Sequence, residues 1–322
     1  SDTELRAAGL YWATRADMAA GHPERIEARL KNAAQMDETF YGLLARQALG
    51  IRDPKSAADA PGAAAWRQLQ QRPNIRVAAA LAEIGEDDAA GEVIKRQARI
   101  GSPTEFAALS RFAGDLGLPS TQLWLSNNVP QGGQPAIAAR YPAPTWIPDG
   151  GWRVDKALVF AHTLQESRFR TGVVSPAGAY GLMQIMPASA TDFTRATGIM
   201  LDRASLTRPS VNMAVGQDKL QRLRDMGATS GLLPKVIAAY NAGPGPVISW
   251  NAESRDGGDP LLYIESIPFW ETRGYVATVL RNYWMYERNA GKSSASRAAL
   301  AQGMWPKFPG MSGAPAVRLQ TA

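Results

Sequence analysis

Glu166 sits where a carboxyl group can act as an acid. It belongs to the run Gln165-Glu166-Ser167-Arg168-Phe169, at the end of a mostly apolar helical stretch. A helix C-terminus offers no support to a negative charge, and apolar neighbours penalise one, so both raise the proton affinity of a carboxyl there. A Glu that stays protonated near neutral pH is what general-acid cleavage of a glycosidic bond requires. Other chemistries are poorly supplied. The chain has no Cys, which removes thiolate ligands, disulfides and a cysteine nucleophile, and its only histidines are His22 and His162. No metal site and no cofactor is expected. Between Ser167 and Thr191 there is no Asp or Glu, and Asp192, the next carboxylate, reads as a surface or capping residue. A glycosidase with two carboxyls ~5–9.5 Å apart would need a second one close by.

Two further segments carry unusual patterns. Ser175-Pro176-Ala177-Gly178-Ala179-Tyr180-Gly181-Leu182-Met183-Gln184-Ile185-Met186-Pro187 is a Gly/Pro-punctuated stretch that suits a small hairpin. Ala238-Ala239-Tyr240-Asn241-Ala242-Gly243-Pro244-Gly245 runs from an apolar helix into a tight turn, which Asn241 would organise.

Helices must position these groups. Apolar residues recur at helical spacing over 5–20, 37–49, 63–71, 74–84, 87–100 and 103–116, and Pro23 marks another start. Short helices joined by small loops suggest a solenoid-like domain over residues 1–127. Residues 128–151 hold five Pro and four Gly, the composition of a connector, placed at 128–149. Further helices are expected over 154–169, 187–197, 210–226, 233–240 and 273–286, in a domain covering 150–290 that should fold by itself. Residues 291–322 read as a tail, loosely ordered or draped on the surface. The class is all-α, with at most a small β-hairpin.

Charge is distributed unevenly. Residues 1–150 carry 16 Lys+Arg against 17 Asp+Glu, and residues 151–322 carry 19 against 12, so the net +6 arises in the second half. A basic surface favours polyanions, but no run of five to eight cations marks a nucleic-acid patch, and nucleic acid is not expected as a partner. No apolar run approaches the ~18–20 residues of a membrane span. The chain opens at Ser1-Asp2 without an initiator Met.

The three segments, with a fourth, Glu265-Ser266-Ile267-Pro268-Phe269-Trp270-Glu271-Thr272-Arg273-Gly274-Tyr275-Val276, resemble the catalytic domain of the soluble lytic transglycosylases. These are lysozyme-like enzymes that cut the glycan of bacterial peptidoglycan. The resemblance covers residues 146–288, and Phe40-Tyr41-Gly42-Leu43-Leu44-Ala45 resembles their superhelical arm, here shortened. It implies a lysozyme-like α+β domain after the solenoid, peptidoglycan strands as partner, and a periplasmic location reached through an export signal absent from this chain.

Carried over by motif, Glu166 matches the single acid/base. Ser175 and Gln184 match polar groups lining the cleft, Met183 and Met186 its floor, Tyr240 the tyrosine near the acid, and Glu271 a second carboxylate that contacts ligand. For Glu271 an ion pair with Arg273 or Arg281 is the other reading. The resemblance further implies that Glu166 protonates the bridge between MurNAc and GlcNAc and then takes the C6 hydroxyl proton, closing a 1,6-anhydro ring. A lysozyme-type hydrolase and a non-catalytic glycan-binding scaffold are the alternatives. His162 stands four residues before Glu166 where the family has an apolar residue, and Leu164 stands where Arg is common. A neutral imidazole packed beneath the cleft is expected, since a charged one would lower the proton affinity of Glu166. Asn212, Trp250, Tyr263 and Trp270 suit either sugar contact or core packing.

Overall fold

Proline in the first turn starts many of the helices, where its missing N–H costs nothing. The computed structural model describes residues 2–53, 63–133 and 137–319. It opens with α1 (Asp2–Ala20), α2 (Pro23–Ala34) and α3 (Phe40–Ala48), the last capped by Thr39, whose hydroxyl accepts from Gly42 N. The helices α4 (Ala63–Gln70), α5 (Pro73–Glu83), α6 (Asp87–Ile100), α7 (Phe106–Asp115) and α8 (Pro119–Asn127) follow. The second half contains α9 (Lys156–Ser167), α10 (Pro187–Thr197), α11 (Pro209–Asp225), α12 (Leu233–Ala242), α13 (Pro244–Glu253), α14 (Pro260–Ser266), α15 (Trp270–Asn289) and α16 (Ala295–Ala301). The chain is therefore mainly α.

The expected hairpin is reduced to isolated antiparallel bridges, Val174 with Tyr180 and Tyr180 with Ile185. The two-stranded sheet lies instead in the tail, where Trp305–Pro306 pairs with Ala316–Val317. The tail is not loosely draped. Trp305 and Phe308 are buried in the main core with Leu300, because an indole and two large apolar side chains release more free energy in the core than at the surface.

Packing crosses the Pro/Gly-rich segment at 128–149. One hydrophobic cluster joins Tyr11, Leu30, Phe40, Leu43 and Leu44 to the helices of the second half; another, around Leu69, Ile94, Phe106 and Leu109, holds α4–α8 together. The central element is α15, which packs against α9 and α12 and buries Val276, Val279, Leu280, Tyr283, Trp284 and Met285. Phe40 of α3 stacks on Trp284 with ring centroids 5.0 Å apart. Ion pairs Arg281–Glu4, Arg288–Asp37 and Arg297–Asp53, and a hydrogen bond from Tyr41 to Glu265, tie the same elements together. The helices α1–α3 thus complete the core against which α9, α12 and α15 pack.

Candidate active site

The end of α9 is abrupt. Asp155 caps its start, accepting from the amides of Ala157 and Leu158. At the other end Arg168 (φ 53°) and Phe169 (φ 62°) both adopt the left-handed conformation, which turns the chain away after one last helical residue, Ser167. Such backbone is costly for non-glycine residues and needs an anchor. Phe169 supplies it, buried against Phe160 and Trp146. Glu166 is thereby presented on the final turn.

Burial pushes the Glu166 carboxyl up to about 7; a hydrogen bond from Tyr275 and the charge of Lys219 pull it down, and the charge of Glu271 pushes it up again. Tyr275 Oη donates to Glu166 Oε1 at 2.6 Å and lies 2.9 Å from His162 Nδ1. His162 is fully buried, and burial together with the Lys219 charge pushes its proton affinity down to about 3, so the imidazole is neutral. With Tyr275 donating to an ionised Glu166, the proton on His162 sits at Nδ1 and faces the tyrosine oxygen; Nε2 has no partner among the described residues. The expected neutral histidine is present, and it does more than pack: it holds Tyr275.

Tyr240 lies beside this chain and not in it. Its hydroxyl donates to Met183 O at 2.8 Å, and its ring centroid is 4.6 Å from that of His162. Lys219 Nζ sits 3.7 Å from the Tyr240 ring centroid and donates to Tyr240 O at 3.0 Å. Burial lowers the Lys219 ammonium to about 8, and the Glu166 charge opposes that shift. Lys219 and Tyr275 are the two site residues not singled out from the sequence. Tyr275 was legible: it follows Glu271 by four positions, hence on one face of a helix. Lys219 carries no such signal, because a lysine in an amphipathic helix normally reads as solvated.

The loop after α9 is held by its backbone. Ser175 Oγ accepts from Ala179 N at 3.0 Å, so its side chain closes the turn around Gly178. Gln184, at φ 47°, donates through Nε2 to Gly181 O at 2.9 Å. Gly181 is obligatory: at φ 68° a Cβ would fall 2.5 Å from Asn212 Nδ2 and 2.6 Å from Leu206 O. Asn212 is buried and staples the loop, with Oδ1 accepting from Met183 N at 2.8 Å and Nδ2 donating to Tyr180 O and Leu206 O. Asn212 is thus engaged in holding the loop, and Trp250 and Tyr263 are buried in the main core. Met183 is buried against Gly216, where even a Cβ would collide with its sulfur, whereas Met186 is exposed.

Asn241 is exposed, and its Oδ1 accepts from Thr272 Oγ1 at 2.7 Å, tying the turn after α12 to the first turn of α15. Glu271 is exposed on that same turn. Arg273 is engaged with Ile267 O, and Arg281 with Glu4 and Asn282; among the described residues Glu271 forms no ion pair. Asp192 pairs with Arg195 of its own helix at 3.1 Å and with Arg222 of α11 at 3.3 Å. Among the described residues no three His, Asp or Glu side chains converge to hold a metal. A cavity of about 910 Å³ lies elsewhere, between α1, α2 and residues 257–261 and 300–303. The arrangement at Glu166 can donate a proton, and afterwards stabilise the carboxylate it leaves.

The chain is similar to several known proteins. Residues 149–262 match the family model described as Transglycosylase SLT domain. The chain is 31% identical over 302 residues to the soluble lytic murein transglycosylase of Salmonella typhimurium, covering 88% of this chain and 44% of that protein. It is 31% identical over 287 residues to the Escherichia coli K12 protein of the same name, covering 84% and 42%. The crystal structure of the 70 kDa soluble lytic transglycosylase from Escherichia coli superposes with a TM-score of 0.78 at 26% identity, over 96% of this chain and 49% of that one. Its complex with bulgecin A gives 0.75 at 25% identity, over 94% and 48%. The chain spans less than half the length of these relatives.

Proposed function

We propose that this chain, whose residues 149–262 form a domain of the transglycosylase SLT family, is a peptidoglycan lytic transglycosylase with Glu166 as its single acid/base. Its place of action is then the periplasm, where that polymer lies. The observation that carries the reading is one carboxyl, held near a proton affinity of about 7 by burial, with a donor already aimed at it.

Protonated Glu166 gives its proton to the oxygen bridging MurNAc and GlcNAc. The C1–O bond breaks, GlcNAc leaves as the alcohol, and the 2-acetamido group of MurNAc supports the electron-poor C1. Glu166 is now a carboxylate, and Tyr275 Oη–H and the Lys219 charge stabilise it. Burial keeps the phenol of Tyr275 protonated, so it stays a donor throughout. The carboxylate next removes the proton from the C6 hydroxyl, and O6 closes on C1. The acid is regenerated and no water is consumed.

Gln184 and Ser175 shape the loop that lines the cleft, with Met186 exposed on its floor, Met183 buried beneath it, and Asn241 and Glu271 at its rim. A second reading rests on Glu271, which is exposed, unpaired among the described residues and close enough for its charge to act on Glu166. A water-activating role for it would make the protein a lysozyme-type hydrolase. Incubation with purified sacculi separates catalysis from mere binding: the wild type should clear turbidity and Glu166→Gln should not. Equal clearing by both would refute the assignment of Glu166.

A further inference from the structure

Trp270 opens α15 and is 83% exposed; Phe269, just before it, is 53% exposed. Tryptophan is seldom left so bare, because an indole in water forgoes the free energy of burial. Single exposed apolar residues need no explanation, but these two adjoin and help line one cavity of about 460 Å³. Its other walls include Asn241, Glu271 and Thr272. Phe269 is fixed edge-on against Trp250, centroids 5.2 Å apart, so this part of the floor is rigid.

The composition suits a particular ligand shape. Aromatic carbon faces the cavity on one side, and an amide, a carboxylate and a hydroxyl stand at its edge. A pyranose ring has the complementary form, with an apolar face of C–H groups and a rim of hydroxyl and acetamido groups. The cavity shares residues and elements with the surroundings of Glu166. Glu271 is its wall and acts on Glu166, Tyr275 lies one turn further along α15 and bonds Glu166, and Asn241 directly follows Tyr240. The first two turns of α15 thus serve both the cavity and Glu166.

We infer that Trp270, on the platform it forms with Phe269, is an outer sugar subsite that stacks one β-1,4-linked N-acetylhexosamine of the bound glycan, with Asn241 and Glu271 holding its polar edge. This rests on the glycan-cleaving reading above. It assigns Trp270 to strand binding and not to proton transfer.

The test uses the full chain. For Trp270→Ala acting on solubilised glycan strands, KM should rise about five- to twentyfold with kcat held, as expected for loss of one aromatic contact. Trp270→Phe should recover most of the loss, because a flat ring remains. In the Glu166→Gln background, chitotetraose should bind more tightly than chitobiose, and Trp270→Ala should erase that advantage. Cleavage by the wild type with KM unmoved in Trp270→Ala would overturn the subsite alone. No cleavage by the wild type, with Trp270-dependent chitotetraose binding retained, would uphold the subsite and overturn the lyase reading.

Discussion

Replacing Tyr275 by Phe removes one oxygen from the site and should change the enzyme in two linked ways. In the free protein the Tyr275 hydroxyl, 2.6 Å from Glu166, is the largest influence opposing the upward push of burial. A hydrogen bond to a charged group contributes ~1.5–3 kcal/mol. At about 1.4 kcal/mol per pH unit, its loss should move the Glu166 titration upward by about one to two pH units. The sign follows from the mechanism: free enzyme must hold Glu166 protonated, so kcat/KM falls as pH rises through the proton affinity of that group, near 7 in the wild type. In the variant this alkaline fall should move upward. Once Glu166 has given its proton, the same missing bond leaves the carboxylate less stable, and kcat should drop about 10- to 150-fold. The expected signature is a slower enzyme active to higher pH. His162 Nδ1 also loses its partner while Nε2 has none, which should cost ~1–3 kcal/mol of stability. The assay is kcat/KM against pH on soluble glycan strands, with the Glu166 side-chain carboxyl followed by NMR. An alkaline limb that stays in place, or moves down, would refute the role given to Tyr275.

Other variants separate the remaining groups. Glu166→Gln should lose at least ~10²–10⁴ in rate while still binding glycan, measured by turbidity loss and sedimentation with sacculi. Because the Glu166 carboxyl is raised from 4.5 to about 7 on folding, it contributes stability below 4.5 that is lost as pH rises through 7. The melting temperature of Glu166→Gln should accordingly gain on the wild type across that window, and a constant difference would contradict the raised carboxyl. Asp192→Asn should leave activity unchanged and stability within ~1 kcal/mol by thermal melting, since the two ion pairs it breaks are solvent-accessible. Lys219→Met should move the alkaline limb up, and Glu271→Gln should move it down, because each removes a charge acting on Glu166. Residues 150–290 expressed without α1–α3 should melt well below the full chain in calorimetry, because Trp284 loses its stacking partner Phe40.

The parts that the sequence disclosed are those written in local chemistry. Glu166 was singled out by its helix end, its apolar neighbours and above all the family motifs around it; the structure puts it on the last turn of α9 and raises its proton affinity to about 7. Met183 and the Gly181 turn were legible as a unit, but not the reason for it, which is Asn212 stapling the loop from a distant helix. Tyr240 was expected near the acid, but its hydroxyl serves the loop backbone, and Tyr275 takes the place beside the acid. Which of two tyrosines reaches a carboxyl depends on how α12 and α15 pack, and periodicity does not carry that. Short helices were the other omission. α8, α13, α14 and α16 have ten residues or fewer, three of them open with Pro, and Gly or Pro nearby read as loop. The tail was misjudged for a related reason: its Ala/Ser/Gly/Pro composition hid Trp305 and Phe308, whose burial is decided by the groove they enter.

The central claim is that one carboxyl completes the reaction without water. The most direct measurement is mass spectrometry of muropeptides released from sacculi in water enriched in heavy oxygen. Catalysis by Glu166 alone predicts 1,6-anhydroMurNAc ends, lighter than reducing sugars by one water and free of label. Reducing-end MurNAc carrying heavy oxygen as the main product would mean that a second carboxylate, with Glu271 the candidate, activates water.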